Sequence, residues 1–148
     1  MTMTEQDLAD TIVQEITIKA PAERIFEALV NPHERARWWG VPGRFQTTHV
    51  ESDLRPGGKW AMRGNGMGGR PFRVEGEYRE IARPRLLVFT WLPNWQQDAA
   101  ASLVRIELSE RDGKTTVRLT HSGLTPEGAR GHKGWPEVLE LLRGFVEA

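Results

Sequence analysis

The residue best placed for chemistry is a histidine on a predicted strand. Alternation along this strand puts His121 on the same face as the apolar residues Val117 and Leu119. An imidazole that faces an apolar interior can act as a general acid or base, or can orient a ligand by hydrogen bonding. Tyr78 has inward parity on a second strand, where its hydroxyl is either structural or ligand-orienting. These two side chains are the candidate polar groups of an internal site, and His121 is the single catalytic candidate.

A catalytic histidine usually needs a partner that orients it and fixes its tautomer. The acidic residues on the neighbouring strands point to solvent by parity; they are Glu75, Glu77 and Glu107. We therefore expect an unpartnered, neutral imidazole at His121 that serves as a structural or hydrogen-bonding group. General acid or base catalysis by His121 is the alternative.

The remaining histidines do not form a metal-binding pattern. His33, His49 and His132 fall on a helix, a strand and a loop, and no HxH or HxxxH spacing places two of them on one face. The sequence has no cysteine, which removes thiolate nucleophiles and thiolate metal ligands. We predict no metal site and no cofactor.

Two other features carry weaker chemical signals. The glycine-rich stretch 64–69 lies between two strands, so no helix N-terminus can hold a phosphate beside it. It predicts a flexible hairpin tip that could cover a cavity mouth beside Trp95. Ser102, Ser122 and Thr47 have no histidine and acid at a recognisable spacing, so nothing indicates a hydrolytic triad.

Length and charge narrow the class of protein. The 148 residues match one domain, predicted to span 1–148 with 1–10 as a flexible N-terminal extension. Lys plus Arg and Asp plus Glu each number 20 and are interspersed, so no basic surface for nucleic acid is indicated. The longest apolar run, 86–92, is far shorter than the roughly 20 residues of a membrane span, and the N-terminus lacks a signal-peptide pattern. A cytoplasmic protein is expected.

The elements that position these residues follow from periodicity. Alternating apolar residues predict seven strands, at 12–19, 45–52, 58–63, 71–82, 86–92, 102–110 and 114–121. Two short helices are predicted between the first two strands, at 21–30 and from Pro32 to about Trp38, the second capped by Asn31 with Glu34 completing a capping-box-like pair. A C-terminal helix over 135–146 has a helical apolar stripe. Pro136 marks its start, or a kink in a longer helix that begins near Pro126.

These elements predict an α+β fold in which a curved antiparallel sheet of seven strands wraps around a long C-terminal helix. Its apolar face is unusually rich in tryptophan. This interior is either a filled core or a ligand cavity with indole walls. The candidate ligand-binding residues are Trp38, Trp39, Trp60, Met62, Phe72, Val74, Tyr78, Phe89, Trp91, Val104, Ile106, Leu119, His121, Trp135, Leu139 and Leu142.

Several short motifs, in order, also resemble a known family. They begin at Ile18-Lys19-Ala20-Pro21-Ala22-Glu23-Arg24-Ile25-Phe26 and Trp38-Trp39-Gly40, and continue through Asp53-Leu54-Arg55-Pro56-Gly57-Gly58-Lys59-Trp60, Gly76-Glu77-Tyr78-Arg79-Glu80-Ile81, Leu87-Val88-Phe89-Thr90-Trp91, Leu119-Thr120-His121-Ser122-Gly123-Leu124 and Gly134-Trp135. Together they cover roughly residues 12 to 147. The chain resembles the START/Bet v 1-like (SRPBCC) superfamily, and within it the homologues of the activator of heat-shock protein 90 ATPase. The resemblance implies the helix-grip fold and an internal cavity, while its members have many different functions.

The predicted function is the binding of a small hydrophobic molecule, such as a lipid, polyketide or aromatic metabolite. The ligand would enter between the hairpin tips and helix ends. A cyclase- or hydrolase-type enzyme in the same cavity, with His121 as acid or base, is the first alternative. A chaperone-interaction module is the second. The expected partner is a small hydrophobic ligand, with no nucleic acid and no membrane span, and the chain is expected to be a monomer or a homodimer.

Overall fold

The computed structural model describes residues 11–41, 43–94, 101–124 and 134–148. In chain order its elements are Ile12–Ile18 (β1), Ala22–Val30 (α1), Pro32–Trp38 (α2), Gly40–Val41 (β2), Phe45–Ser52 (β3), Lys59–Asn65 (β4), Pro71–Ala82 (β5), Leu86–Pro93 (β6), Ser102–Arg111 (β7), Lys114–Ser122 (β8) and Trp135–Glu147 (α3). Met67–Gly69 forms a short 3₁₀ turn between β4 and β5.

The strands form one antiparallel sheet in the order β1-β8-β7-β6-β5-β4-β3-β2. β1 pairs with β8, the last strand of the chain, so β1 and β2 lie at opposite edges of the sheet. Helices α1 and α2, which lie between β1 and β2 in the sequence, connect these two edges. The predicted helix-grip arrangement is confirmed, but the strand count was wrong. The described part of the chain holds eight strands, because the two-residue strand Gly40–Val41 pairs with β3 at Phe45 and Gln46.

The two faces of the sheet have opposite character. Inward side chains such as Val74, Val104 and Val117 are fully buried, whereas charged residues of the same strands lie on the exposed outer face. Helix α3 covers the inner face with Trp135, Leu139 and Leu142, whose helical spacing forms one apolar stripe. Burial of both apolar faces in this interior supplies the main driving force for the fold.

The two short helices are held at their N-terminal ends by different partners. Asn31 caps α2, because its Oδ1 accepts hydrogen bonds from the backbone N–H groups of His33 and Glu34 at 2.9 and 3.2 Å. The capping-box expectation was wrong for Glu34, whose carboxylate pairs with Arg24 at 2.7 Å. The backbone N–H of Ala22 in α1 donates to Glu110 at 2.7 Å, so β7 supplies the missing cap.

Helix α3 begins at Trp135, with Pro136 in its first turn. The alternative of a longer helix from near Pro126 concerns residues outside those described, as does the predicted extension 1–10. None of the helices in the described ranges is long and apolar enough to cross a membrane.

Candidate functional site

Five tryptophans line one connected aromatic cluster inside the sheet. Trp39 is central: its ring lies 5.2 Å from that of Trp38, 6.1 Å from that of Trp91 and 6.0 Å from that of Trp135. Trp60 joins the cluster through Trp91, at 5.9 Å between ring centroids. All five are buried. The cluster brings together the end of α2, the middle of the sheet and the start of α3.

An arginine from α2 lies inside this cluster. The side chain of Arg35 is only 4% exposed, and its guanidinium carbon lies 4.7 Å from the ring centroid of Trp39 and 4.8 Å from that of Trp60. Both contacts have cation–π geometry. Within the described residues the guanidinium forms no ion pair and no hydrogen bond, and its buried Nε is without a partner. Arg35 is therefore a buried cation whose contacts are aromatic faces.

Burial lowers the pKa of Arg35 to about 10, and the nearby phenol of Tyr78 acts in the opposite direction. The guanidinium still carries its charge at neutral pH, because that pKa lies well above neutrality. A group that keeps its charge in an apolar interior destabilises the folded state unless an anion lies next to it.

Sequence reasoning missed Arg35. The signal was present in its spacing, because Arg35 precedes Trp38 by three residues and Trp39 by four. In a short helix this places all three on one side. Arg35 is therefore buried together with the two tryptophans.

His121 is held by two partners. The indole N–H of Trp135 donates to Nδ1 of His121 at 3.0 Å, and Nε2 lies 2.6 Å from Oγ of Ser102. An indole can only donate, so Nδ1 must be the acceptor, and the neutral ring carries its proton on Nε2. Nε2–H then donates to Ser102, whose hydroxyl donates to the carbonyl oxygen of Trp91 at 3.3 Å. The expectation of an unpartnered imidazole was wrong, because an indole from α3 and a serine from β7 bind its two ring nitrogens.

Replacing Trp135 by phenylalanine tests this network. The variant keeps an aromatic ring but removes the donor to Nδ1 of His121, which leaves a buried acceptor without that bond. We expect the free energy of unfolding to fall by about 1–3 kcal/mol in urea titrations. NMR of the wild-type imidazole should show the neutral tautomer protonated on Nε2. An unchanged unfolding midpoint, or a proton on Nδ1, contradicts the assignment.

Tyr78 also has a protein partner. Its hydroxyl lies 2.6 Å from Oγ of Ser52, on β3, and the residue is fully buried. Two other buried polar atoms, Oγ1 of Thr47 and Nε1 of Trp60, have no hydrogen-bond partner in the described structure. The interior therefore holds satisfied polar groups at His121 and Tyr78 and unsatisfied ones at Arg35, Thr47 and Trp60.

A small cavity lies between the sheet and the helices. Its volume is about 20 Å³, enough for about one water molecule. Its walls are Leu29, Arg35, Trp38, Trp39, Leu87, Phe89, Ile106, Val117, Leu119, Trp135, Val138, Leu139 and Leu142. Arg35 is the charged group in this otherwise apolar wall.

The candidate ligand-binding residues, apart from Phe72, fall into two groups in the structure. Those that line the cavity are Trp38, Trp39, Phe89, Ile106, Leu119, Trp135, Leu139 and Leu142. Those packed elsewhere in the interior are Trp60, Met62, Val74, Tyr78, Trp91, Val104 and His121. Phe72 is only partly buried, at the start of β5, with its ring centroid 6.4 Å from that of Phe45.

An open groove lies at the surface beside Trp39. This surface groove has a volume of about 470 Å³ and is formed by the end of α2, the β2–β3 turn and the tip of the β4–β5 hairpin. Arg37 and Arg44 give it a basic character, and the glycine-rich tip predicted as a lid lines it through Asn65, Gly66, Gly68 and Gly69. Trp39, 8% exposed, lines both the groove and the cavity. Trp95 lies outside the described residues.

The histidines considered as metal ligands are not gathered in the structure. His33 and His49 are exposed, on α2 and β3, and His132 lies outside the described residues. No group of three potential metal ligands occurs within the described ranges.

Comparison with known proteins agrees with this architecture. The family model described as Activator of Hsp90 ATPase homolog 1-like protein matches residues 19–147. A crystal structure of a Chromobacterium violaceum protein has a TM-score of 0.82 at 24% identity, covering 94% of this chain and 98% of that one. A Mycobacterium smegmatis protein has a TM-score of 0.80 at 23% identity, covering 99% and 94%. The comparison with curated proteins finds no match.

Proposed function

This chain belongs to the family of Activator of Hsp90 ATPase homolog 1-like proteins, and from that premise we propose that it binds a small hydrophobic molecule in its interior. The ligand class is a lipid, a polyketide or an aromatic metabolite. The observation that carries the proposal is the position of Trp39. Trp39 lines both an apolar internal cavity and an open surface groove.

Binding requires side chains to move. A cavity of about 20 Å³ holds about one water molecule, whereas ligand pockets typically measure about 300–1,000 Å³. Rotation of the Trp39 indole would join the cavity to the groove and give the ligand an entry path. The ligand would then replace aromatic contacts of Trp39 with its own apolar surface, at roughly 25 cal/mol for each Å² removed from water.

We favour binding over catalysis because of the hydrogen bonds at His121. Both of its ring nitrogens are engaged, by Trp135 and by Ser102, and His121 does not line the cavity. A general base must lie within hydrogen-bond reach of the proton that it removes. The imidazole therefore serves to fix the position of Trp135 at the cavity wall.

A filled-cavity variant tests the site. Val138 lines the cavity from α3, and Val138→Phe adds a ring to that space. We expect the affinity for decan-1-ol, followed by tryptophan emission and calorimetry, to fall by at least about tenfold, because the ring occupies the volume that the ligand needs. Leu141→Phe is the matched control, since Leu141 is also partly buried on α3 but does not line the cavity.

Leu141→Phe should leave affinity within about twofold of wild type. Equal affinity in the wild type and in Val138→Phe would place the ligand elsewhere. The absence of saturable binding by the wild type, across lipids, polyketides and aromatic compounds, would favour a filled core. Native mass spectrometry of protein purified from its source would identify a co-purifying ligand.

A further inference from the structure

The unexplained feature of the interior is the charge of Arg35. Its guanidinium is buried, forms no ion pair among the described residues and lines the internal cavity. The acidic neighbour on the same helix, Glu34, is already paired with Arg24 at 2.7 Å. Tyr78 is the ionisable group that raises the pKa of Arg35, and its hydroxyl contacts Ser52. No described group of the chain supplies the missing negative charge.

The contacts of Arg35 leave its hydrogen-bonding capacity unused. The faces of Trp39 and Trp60 cover the guanidinium carbon, while the N–H groups of a guanidinium point outward in its own plane. Those N–H groups have no protein acceptor in the described structure. A planar acceptor that enters the cavity edge-on could accept hydrogen bonds from these N–H groups.

We propose that the interior binds an amphipathic organic acid, whose carboxylate pairs with Arg35 and whose apolar body lies against the cavity wall. This inference rests on the proposed function and names the class of its ligand. A carboxylate fits the guanidinium in size and planarity, and the pair can form two parallel hydrogen bonds.

The charge count also favours a carboxylate. A single negative charge neutralises the single positive charge of Arg35 and leaves no net charge in the interior. A phosphate monoester carries nearly two negative charges at neutral pH, and the second would be left buried without a partner. The apolar walls formed by Phe89, Ile106 and Leu119 suit an aliphatic or aromatic body.

The surface groove through which the ligand would enter is positively charged, opposite to the charge of an organic acid. Arg37 and Arg44 line the surface groove outside Trp39, and both side chains are exposed. Arg44 is paired with Glu137 of α3 at 2.7 Å, which leaves Arg37 as the groove cation without an ion pair in the described structure. An organic anion would meet a positive surface first and the buried cation second.

The test compares an acid with its neutral analogue. Decanoate and decan-1-ol share one apolar chain and differ in the charged end, and each is titrated by calorimetry into the wild type and Arg35→Met. We expect the wild type to bind decanoate at least about tenfold more tightly than decan-1-ol, because only decanoate neutralises the guanidinium. Arg35→Met should lose this preference and bind decan-1-ol within about threefold of the wild type.

A second readout follows the carboxyl group itself. In NMR of carboxyl-labelled decanoate, pairing with the guanidinium should keep the bound carboxyl ionised at a pH where the free acid is protonated. Arg35→Lys is the second variant, and it should keep part of the preference, since a lysine retains the charge but not the planar fork.

Each outcome decides between the claims. If the wild type binds decan-1-ol as tightly as decanoate, the acid inference is wrong and the proposed function stands. If Arg35→Met weakens both ligands equally, Arg35 is only structural and the inference also fails. If Arg35→Met does not fold, the preference in Arg35→Lys and the ionisation of bound decanoate decide. If the wild type binds neither ligand, nor any member of the wider panel, the proposed function itself fails.

Discussion

Replacing Arg35 by methionine is expected to stabilise the ligand-free protein by about 1–2 kcal/mol. Burial lowers the pKa of Arg35 to about 10, a shift that corresponds to roughly 3 kcal/mol against the charged form in the folded state. At about 0.5–1 kcal/mol each, the lost cation–π contacts with Trp39 and Trp60 offset about 1–2 kcal/mol of this gain, which leaves a net stabilisation of about 1–2 kcal/mol. Methionine fills much of the same volume without a charge. Urea unfolding at neutral pH measures the difference.

Arg37→Met is the matched control for this experiment. Arg37 lies on the same helix but is exposed, so its replacement should change the free energy of unfolding by less than about 0.5 kcal/mol. A loss of stability in Arg35→Met would mean that the two indole contacts outweigh the buried charge. Arg35 would then be explained as a structural residue, and no anion would be needed to account for it.

Gly76→Ala is expected to destabilise the fold by about 3 kcal/mol or more. A Cβ atom on Gly76 would lie 1.9 Å from the carbonyl oxygen of Thr90 and 2.7 Å from Nε1 of Trp60. The first contact is with backbone of the neighbouring strand, which cannot move without disturbing the sheet. The second is with an indole of the aromatic cluster. Thermal and urea unfolding should both show the loss.

The control is a glycine with free space around it. Gly144 lies within α3, is exposed, and would place a Cβ with no atom within 4 Å. Gly144→Ala should stabilise the protein by about 0.5–1 kcal/mol, because alanine restricts the unfolded chain and favours helix. A Gly76→Ala protein as stable as the wild type would show that the packing of Trp60 against β5 is looser than described.

Much of the fold could be predicted because one face of its sheet is apolar and buried while the other is polar and exposed. Alternation marks the buried residues of β7 and β8, and Asp112-Gly113, both with positive φ, forms the tight turn between these two strands. The predicted strand boundaries therefore fall within about one or two residues of the observed ones. The strand Gly40–Val41 could not be predicted, since two residues show no alternation and their pairing with β3 depends on tertiary contact.

The site was less predictable than the fold. Alternation correctly placed Trp60, Trp91 and His121 on the inner face, because strand geometry alone decides on which face of the sheet a side chain lies. Arg35 was missed because charged residues are nearly always exposed, although its spacing to Trp38 and Trp39 places it on their side of the helix. The hydrogen bond from Trp135 to His121 joins α3 to β8, and nothing local in the sequence indicates it.

Isotope-filtered NMR shows whether a small amphipathic molecule binds inside the sheet. The labelled protein is saturated with unlabelled decanoate or decan-1-ol, whichever binds more tightly, and contacts are detected between ligand and protein protons. An internal site predicts contacts from the ligand chain to the methyl groups of Ile106, Leu119 and Leu139, together with a shift of the Trp39 indole signal. Contacts confined to groove residues such as Ala36 and Val41, with the interior signals unchanged, would contradict it.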